Sequence, residues 1–438
     1  MFFGAGLKNE ITDIFYGGTK MKKRNALAMM LLLLAFGVYD VKADELAELK
    51  QQMAQMQQRL EQLEAKQKQQ DKTMEEKISE AVKEKQVGAL PDSLKWAENI
   101  KWSGDFRYRH ESIDNETAST QRDRNRIRAR LKIEAKVNDE WDAIFRLASG
   151  SSDAPTSTNQ TLGDSASDSF SSKEIWLDWA YADYHPDWKP GLNILLGKMA
   201  NPFYKVGKNQ LIFDGDLSPE GGAATYKWNL NDSTILKVTS GGFWLRERST
   251  DADTSIFGVQ GLLKHKLSGD SHILGGISYY DFGNIKGKSL SGISSKGNTI
   301  SGGLYTNDYD IIEGFGEYGF KIGDVPTAVF GAYVNNIGAS SSEDTAWLIG
   351  AKYNKAKKPG SWEISYNYRD VEKDAVVGGI CDSDFIGGGT DGKGHVLGFK
   401  YQLAKNVQAG LHYFINEKNS SSIRDDYRLL QADLIFKF

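Results

Sequence analysis

From Ile100 to the end of the chain, apolar residues fall on every second position. Between Arg126 and Val137, one face carries Ile127, Ala129, Leu131, Ile133, Ala135 and Val137. The other carries Arg126, Arg128, Arg130, Lys132, Glu134 and Lys136. Side chains alternate across a strand with period two, so this segment reads as a strand with one apolar and one charged face. The segment before it repeats the scheme, with Trp102, Phe106 and Tyr108 set against Asp105, Arg107 and Arg109. Such a strand needs a different solvent on each side. Lipid outside and water inside satisfies it, whereas a soluble sandwich would turn the apolar face into a core.

Strands are expected near 100–111, 125–137, 140–150, 173–184, 191–199, 221–229, 234–245 and 254–266. The rest fall near 271–283, 310–322, 325–334, 344–354, 360–371, 393–403, 406–416 and 428–438, about sixteen in all. Their connections alternate in length. Asn138-Asp139, Asn229 to Asp232, Ser268-Gly269-Asp270, Gly323-Asp324 and Ala404-Lys405 are short turns. The stretches 151–172, 200–220, 284–309, 335–343 and 372–392 are long and rich in Ser, Asp, Gly and Thr. An even strand count with short turns at one end and long loops at the other is the plan of an outer-membrane β-barrel. The fold class predicted is an all-β transmembrane antiparallel barrel over residues 96–438. Trp96, Trp102, Trp141, Trp188, Trp228 and Trp362 near strand ends fit an interfacial girdle, although aromatic residues also fill soluble β cores.

The first ninety residues follow another pattern. Met21-Lys22-Lys23-Arg24, the apolar run Ala26 to Val38 and then Val41-Lys42-Ala43 have the order of a cleaved secretory signal, which assigns residues 1–43 to export. Residues 1–20 look like neither signal nor domain, so translation is expected to begin at Met21. An uncleaved membrane anchor is the plainer alternative. Leu46, Leu49, Met53, Met56, Leu60 and Leu63 then alternate spacings of three and four, a heptad seam. Gln67 and Gln70 interrupt it before Met74, Ile78, Ala81 and Val82 resume it loosely. An α-helical coiled coil over 44–90, shared among chains, would bury this seam. A single solvated helix is the simpler reading.

Composition narrows the function. Six of the 54 basic and three of the 58 acidic residues precede Asp44, leaving a mature net charge of -7, which argues against a nucleic-acid binder. One cysteine rules out a disulfide framework and a cysteine metal cluster, so no metal is expected. The six histidines (His110, His185, His265, His272, His395 and His412) are widely separated. No Gly-x-Ser-x-Gly elbow or phosphate-cradling loop is present. Gly387-Gly388-Gly389 and Cys381 lie in a long loop and read as a flexible segment with a free thiol. No catalytic residue and no cofactor are assigned, although a barrel enzyme whose site forms only in space stays open.

The last strand runs Leu430, Ala432, Leu434, Phe436 and Phe438 along one face. An amphipathic final strand ending in phenylalanine resembles the signal read by the barrel assembly machinery, which assigns Leu434, Phe436 and Phe438 that role. The order of signal peptide, coiled coil and Gly/Tyr-rich barrel resembles the bacterial porins of the trimeric type. The stretch Leu196-Gly197-Lys198-Met199-Ala200-Asn201-Pro202-Phe203, with Phe213-Asp214-Gly215-Asp216-Leu217-Ser218-Pro219-Glu220-Gly221, resembles the region around the third external loop of anion-type porins. The resemblance implies a homotrimer in the outer membrane of a Gram-negative bacterium, in contact with its lipid. It also implies passive diffusion of small hydrophilic solutes and a third loop folded into the lumen.

Arg107, Arg109, Arg126, Arg128, Arg130 and Lys132 should form a basic ladder on the lumen wall, since neighbouring strands lie about 4.8 Å apart. If the third loop folds inward, Asp214, Asp216 and Glu220 would face that ladder and set up a transverse field favouring anions. The plainer reading is a solvated face with local partners such as Glu134. The rival functions are an outer-membrane barrel enzyme and a structural tether whose coiled coil grips peptidoglycan. An internal plug domain is set aside, because the segment before the barrel is short and helical.

Overall fold

The computed structural model describes residues 92–438 except 152–154, 164–169 and 291, together with positions between 51 and 73. The chain divides into two units, 1–90 and 91–438. In the first, the described positions between 51 and 73 are helical and exposed, Met56 and Leu63 of the predicted seam among them at 62 and 63 %. Among the described residues this is a single helix, and a coiled coil is not shown. The other seam residues, and the signal sequence, lie outside the described residues.

In the second unit, a short 3₁₀ helix, Asp92–Asn99, leads into sixteen strands. They are β1 Ile100–Asn115, β2 Arg122–Lys136, β3 Trp141–Ser149, β4 Ile175–Tyr184, β5 Leu192–Lys198, β6 Glu220–Asn229, β7 Thr234–Arg246 and β8 Thr254–Lys266. The second half comprises β9 His272–Asp281, β10 Asp310–Ile322, β11 Val325–Asn336, β12 Thr345–Asn354, β13 Trp362–Val371, β14 Gly392–Ala404, β15 Val407–Lys418 and β16 Asp425–Lys437. Each strand pairs antiparallel with the next, and β1 pairs with both β2 and β16, so the sheet closes on itself. Residues Asp105 to Asn115 of β1 run opposite Lys437 to Tyr427. Just beyond β16, Phe438 exchanges two backbone hydrogen bonds with Gly104, at 2.9 and 3.1 Å. Closure leaves no unpaired edge, which a lipid environment demands.

Burial runs opposite to that of a soluble β protein. In β1, Arg107 and Arg109 are 8 and 5 % exposed, while Phe106 and Tyr108 are 39 and 40 % exposed. The charged face looks into the barrel and the apolar face looks out, as the two-solvent reading requires. Leu430 and Phe436 of β16 share this outer face, and the Phe436 ring lies 6.0 Å from that of Phe106.

The apolar core therefore sits inside the barrel, built largely from loops. We number the long loops L1 to L8 in chain order. L3 (199–219) contributes Met199, Phe203, Val206, Leu211 and Phe213; L5 (282–309) contributes Phe282, Ile285, Tyr305 and Tyr309; L7 (372–391) contributes Val376, Ile380 and Phe385. Phe203 meets Phe213, Phe243 and Tyr280 at ring separations of 5.0–6.2 Å. L5 and L7 are locked at Asp374, whose carboxylate accepts bonds from the Thr299 N–H at 2.9 Å and the Tyr309 hydroxyl at 3.1 Å. The expectation of a flexible Gly387-Gly388-Gly389 segment is corrected here. All three glycines have positive φ, and a Cβ on Gly389 would stand 2.1 Å from the Lys296 carbonyl oxygen, so they form a tight turn against L5.

Candidate functional site: the lumen and its loops

The register of β1 and β2 sets Arg107 opposite Arg128, Arg109 opposite Arg126, Asp105 opposite Arg130 and Glu111 opposite Arg124. The six expected basic residues thus share one face, but the stripe is threaded with acids. Asp105 binds Arg128 and Arg130, both at 2.7 Å. Asp433 of β16 accepts two bonds from Arg109, at 2.6 and 2.8 Å, a bidentate pairing. Glu111, fully buried, lies 2.5 Å from Arg124, 3.5 Å from Arg109 and 3.6 Å from Arg126. Lys132 pairs with Glu134 at 2.5 Å. Arg107 has the loosest partner, Asp433 at 3.8 Å, and donates to Asn159 of L2 (150–174) at 2.5 Å. The ladder is a compensated network rather than a bare positive wall.

L3 crosses the lumen and is fixed at both sides. On one side the Tyr204 backbone N–H and carbonyl bond Gln260 of β8 at 2.7 and 3.0 Å. Beside it, Lys352 of β12 donates to the Gly207 carbonyl at 2.6 Å. Gly207 lies on the Phe330 ring of β11 with φ +58, a place for glycine alone, because a Cβ would come within 2.2 Å of that ring. At the other side Asp216 reaches Arg130 at 3.3 Å and the Thr158 hydroxyl of L2 at 3.1 Å.

The three expected loop acids separate. Asp216 alone meets the ladder, and it does so in direct contact, so this pair encloses no solute path. Burial works to raise the Asp216 carboxyl, yet the Arg128, Arg130 and Arg107 guanidiniums bring it below its ordinary value. Asp214 turns away to L7, where it accepts the Ser383 N–H at 2.9 Å. Burial, with Asp382 and Asp216 beside it, pushes the Asp214 carboxyl up to about 8. Glu220 is not in the loop. It opens β6 opposite Lys198, two positions from the Leu196–Gly222 pair. There it pairs with Lys198 at 2.6 Å, and the two line a cavity of about 400 Å³ that Asp216 and Ser218 share.

L7 is the lumen element that the sequence reading missed. Its Asp382 pairs with Arg369 of β13 at 2.6 Å, and its Asp384 reaches Arg109 at 3.4 Å. Its Asp382 N–H donates to the Gln210 carbonyl of L3 at 3.1 Å, and its Ile380 carbonyl accepts the Asp214 N–H at 2.9 Å. Cys381 is unpaired, as expected, but 3 % exposed; burial, with Asp382 and Asp214 nearby, pushes its thiol up to about 12.

Two cavities flank L3. One, about 410 Å³, lies between the ladder, L7 and the β13–β15 wall; the other, about 520 Å³, opens toward the short turns. They share Gly207, Lys208 and Lys352. Among the described residues no group of His, Cys, Asp and Glu is arranged to hold a metal.

A closed sixteen-strand barrel with lipid-type residues outside, charge inside and a loop folded across a basic lumen defines a channel of the outer-membrane class. The chain belongs to the family described as "Putative porin", whose model matches residues 113–304 and 315–438. Comparison with curated protein sequences finds no match. Among solved structures, the chain resembles OprB of Pseudomonas putida with 10 % identity and a TM-score of 0.53, covering 78 % of this chain and 95 % of that one. A double mutant of Rhodopseudomonas blastica porin aligns with 12 % identity over 77 % of this chain and 100 % of that one, TM-score 0.45. The outer-membrane channel DcaP of Acinetobacter baumannii aligns with 12 % identity over 77 and 97 %, also at 0.45. Family and fold point to the bacterial outer membrane and to a channel rather than an enzyme.

Proposed function

We propose that the chain forms a water-filled pore for passive diffusion of small hydrophilic solutes and ions, with a preference for anions. The observation that carries the preference is the lining of the cavity beside L3, where eight Lys and Arg side chains stand against four Asp and, among the described residues, Lys208 and Lys352 have no carboxylate within ion-pair distance, although Asp105, Asp433 and Glu363 behind the lining compensate others of the eight. In a low-dielectric wall, such an excess raises the local concentration of counter-ions. The pore would act as a homotrimer, exported through a cleaved signal and placed in the lipid by the barrel assembly machinery reading Leu434, Phe436 and Phe438. The helix between 51 and 73 has Met56 and Leu63 exposed, and their burial against two other copies would gather the three chains. Contact of that helix with peptidoglycan would add a tethering role.

Single-channel recording in a planar bilayer under a KCl gradient tests the reading. Conductance steps in threes with a reversal potential on the chloride side are expected. A folded barrel with no conductance would overturn the pore, and potassium preference would overturn the anion assignment.

A further inference from the structure

Resting on the pore reading, we propose that the ion-selecting charge of the passage is Lys208 of L3, backed by Lys352, and not the arginine ladder. The ladder guanidiniums other than Arg107 each hold an acid within 3.6 Å, so most of their field is cancelled where it arises. Lys208 has no such partner. Among the described residues no carboxylate lies within ion-pair distance of it, and its charged neighbour on the facing wall is Lys352, of like sign. Among the described residues Lys352 makes no ion pair of its own, though Glu363 and Glu317 lie in range of it, whereas Lys400 is paired with Glu363 at 3.3 Å and its field is cancelled as the ladder's is.

The backbone places this charge deliberately. Lys208 follows Gly207 in a left-handed turn, with φ +60, which a non-glycine residue adopts only when its surroundings impose it. It is exposed, while Val206 before the turn and Asn209 after it are buried. It lines both cavities that meet at L3. A solute passing from one to the other therefore passes Lys208. An uncompensated charge about 7 Å from an ion in water changes the local concentration about 2.7-fold, before screening.

The test compares the full chain with K208Q, K208E and the neutral pair D105N/R128Q, each recorded under a KCl gradient after a heat-modifiability check of folding. The chloride-to-potassium permeability ratio should fall about twofold in K208Q, fall further in K208E and stay unchanged in the pair variant. K208C treated with a cationic thiol reagent should regain the ratio, and with an anionic reagent lose it, because Cys381 is buried and contributes no background. A conducting K208E with the parent ratio, or a pair variant that loses it, overturns the assignment and leaves the pore standing. A silent parent channel overturns the pore reading itself.

Discussion

Gly207→Ala should detach one side of L3 without unfolding the wall. The new methyl would stand 2.2–2.5 Å from three carbons of the Phe330 ring, below any tolerable contact. Holding alanine in the left-handed region costs about 1–2 kcal/mol. If the loop lifts to relieve the clash, the charged hydrogen bond from Lys352 to the Gly207 carbonyl goes too, at about 1.5–3 kcal/mol. That bond is lost on lifting in parent and variant alike, so only the strain enters the difference: about 1–2 kcal/mol from the left-handed alanine, with the clash added to it, favours the unseated loop by roughly five- to thirtyfold or more. The barrel should persist, because its strands are joined by their own ladders and L3 remains tied through Tyr204 to Gln260 and through Asp216 to Arg130. Planar-bilayer recording should then show larger conductance and more open-channel noise, with heat-modifiability retained. Adding Phe330→Ala should return part of the quiet behaviour by removing the clash. A folded Gly207→Ala channel with the parent conductance and noise would refute the seating of L3 on Phe330.

Asp105→Asn should unpair Arg128 and Arg130 and raise chloride preference in the same recordings. The contact of Asp214 with L7 should be pH-dependent: its folded value near 8 exceeds the unfolded carboxylate value near 3.8, so its contribution is full below about 4 and lost as pH rises through about 8. Protease cleavage within L7 should therefore increase between pH 5 and pH 9, and Asp214→Asn should flatten that profile. Cys381 should resist thiol reagents in the folded barrel and react fully on denaturation, read by mass; prompt labelling of the native protein would contradict its burial. Removing Phe438 should delete the two backbone bonds to Gly104 and lower assembly yield in vivo, measured as heat-modifiable protein per cell.

The wall was legible because lipid imposes a strict rule. Each strand had to alternate, and Ile127 to Val137 against Arg126 to Lys136 could be assigned to faces from period two alone. The same rule revealed Asp105 beside Arg107 and Arg109, yet not that it would neutralise Arg128 and Arg130, since pairing depends on register. Asp433 lies 324 residues beyond Arg109 and reaches it only because the barrel closes. Loops obey no comparable rule. The inward course of L3 was expected from resemblance, and Asp216 followed it, but the turn of Asp214 toward L7 depends on a partner loop with no pattern of its own. L7 read as flexible because glycine runs usually are; its positive φ values serve a turn packed against Lys296. One signal was available: the apolar cluster Ala375 to Val377 and Ile380 is unusual in a loop meant for water.

The loop core also bears on where such a chain is free to vary. In most channels of this architecture the long connections are natural places for substitution and insertion, since little rests on them. Here L3, L5 and L7 are wedged into the mouth, and Ile285, Tyr309, Val376 and Ile380 have no solvent-facing surface to alter. Drift at this end of the molecule would be channelled into the smaller members of the set, L4 (247–253), L6 (337–344) and L8 (419–424), while the wedge itself would change only as a matched set. A surface that looks like the most expendable part of the protein is thereby its most constrained.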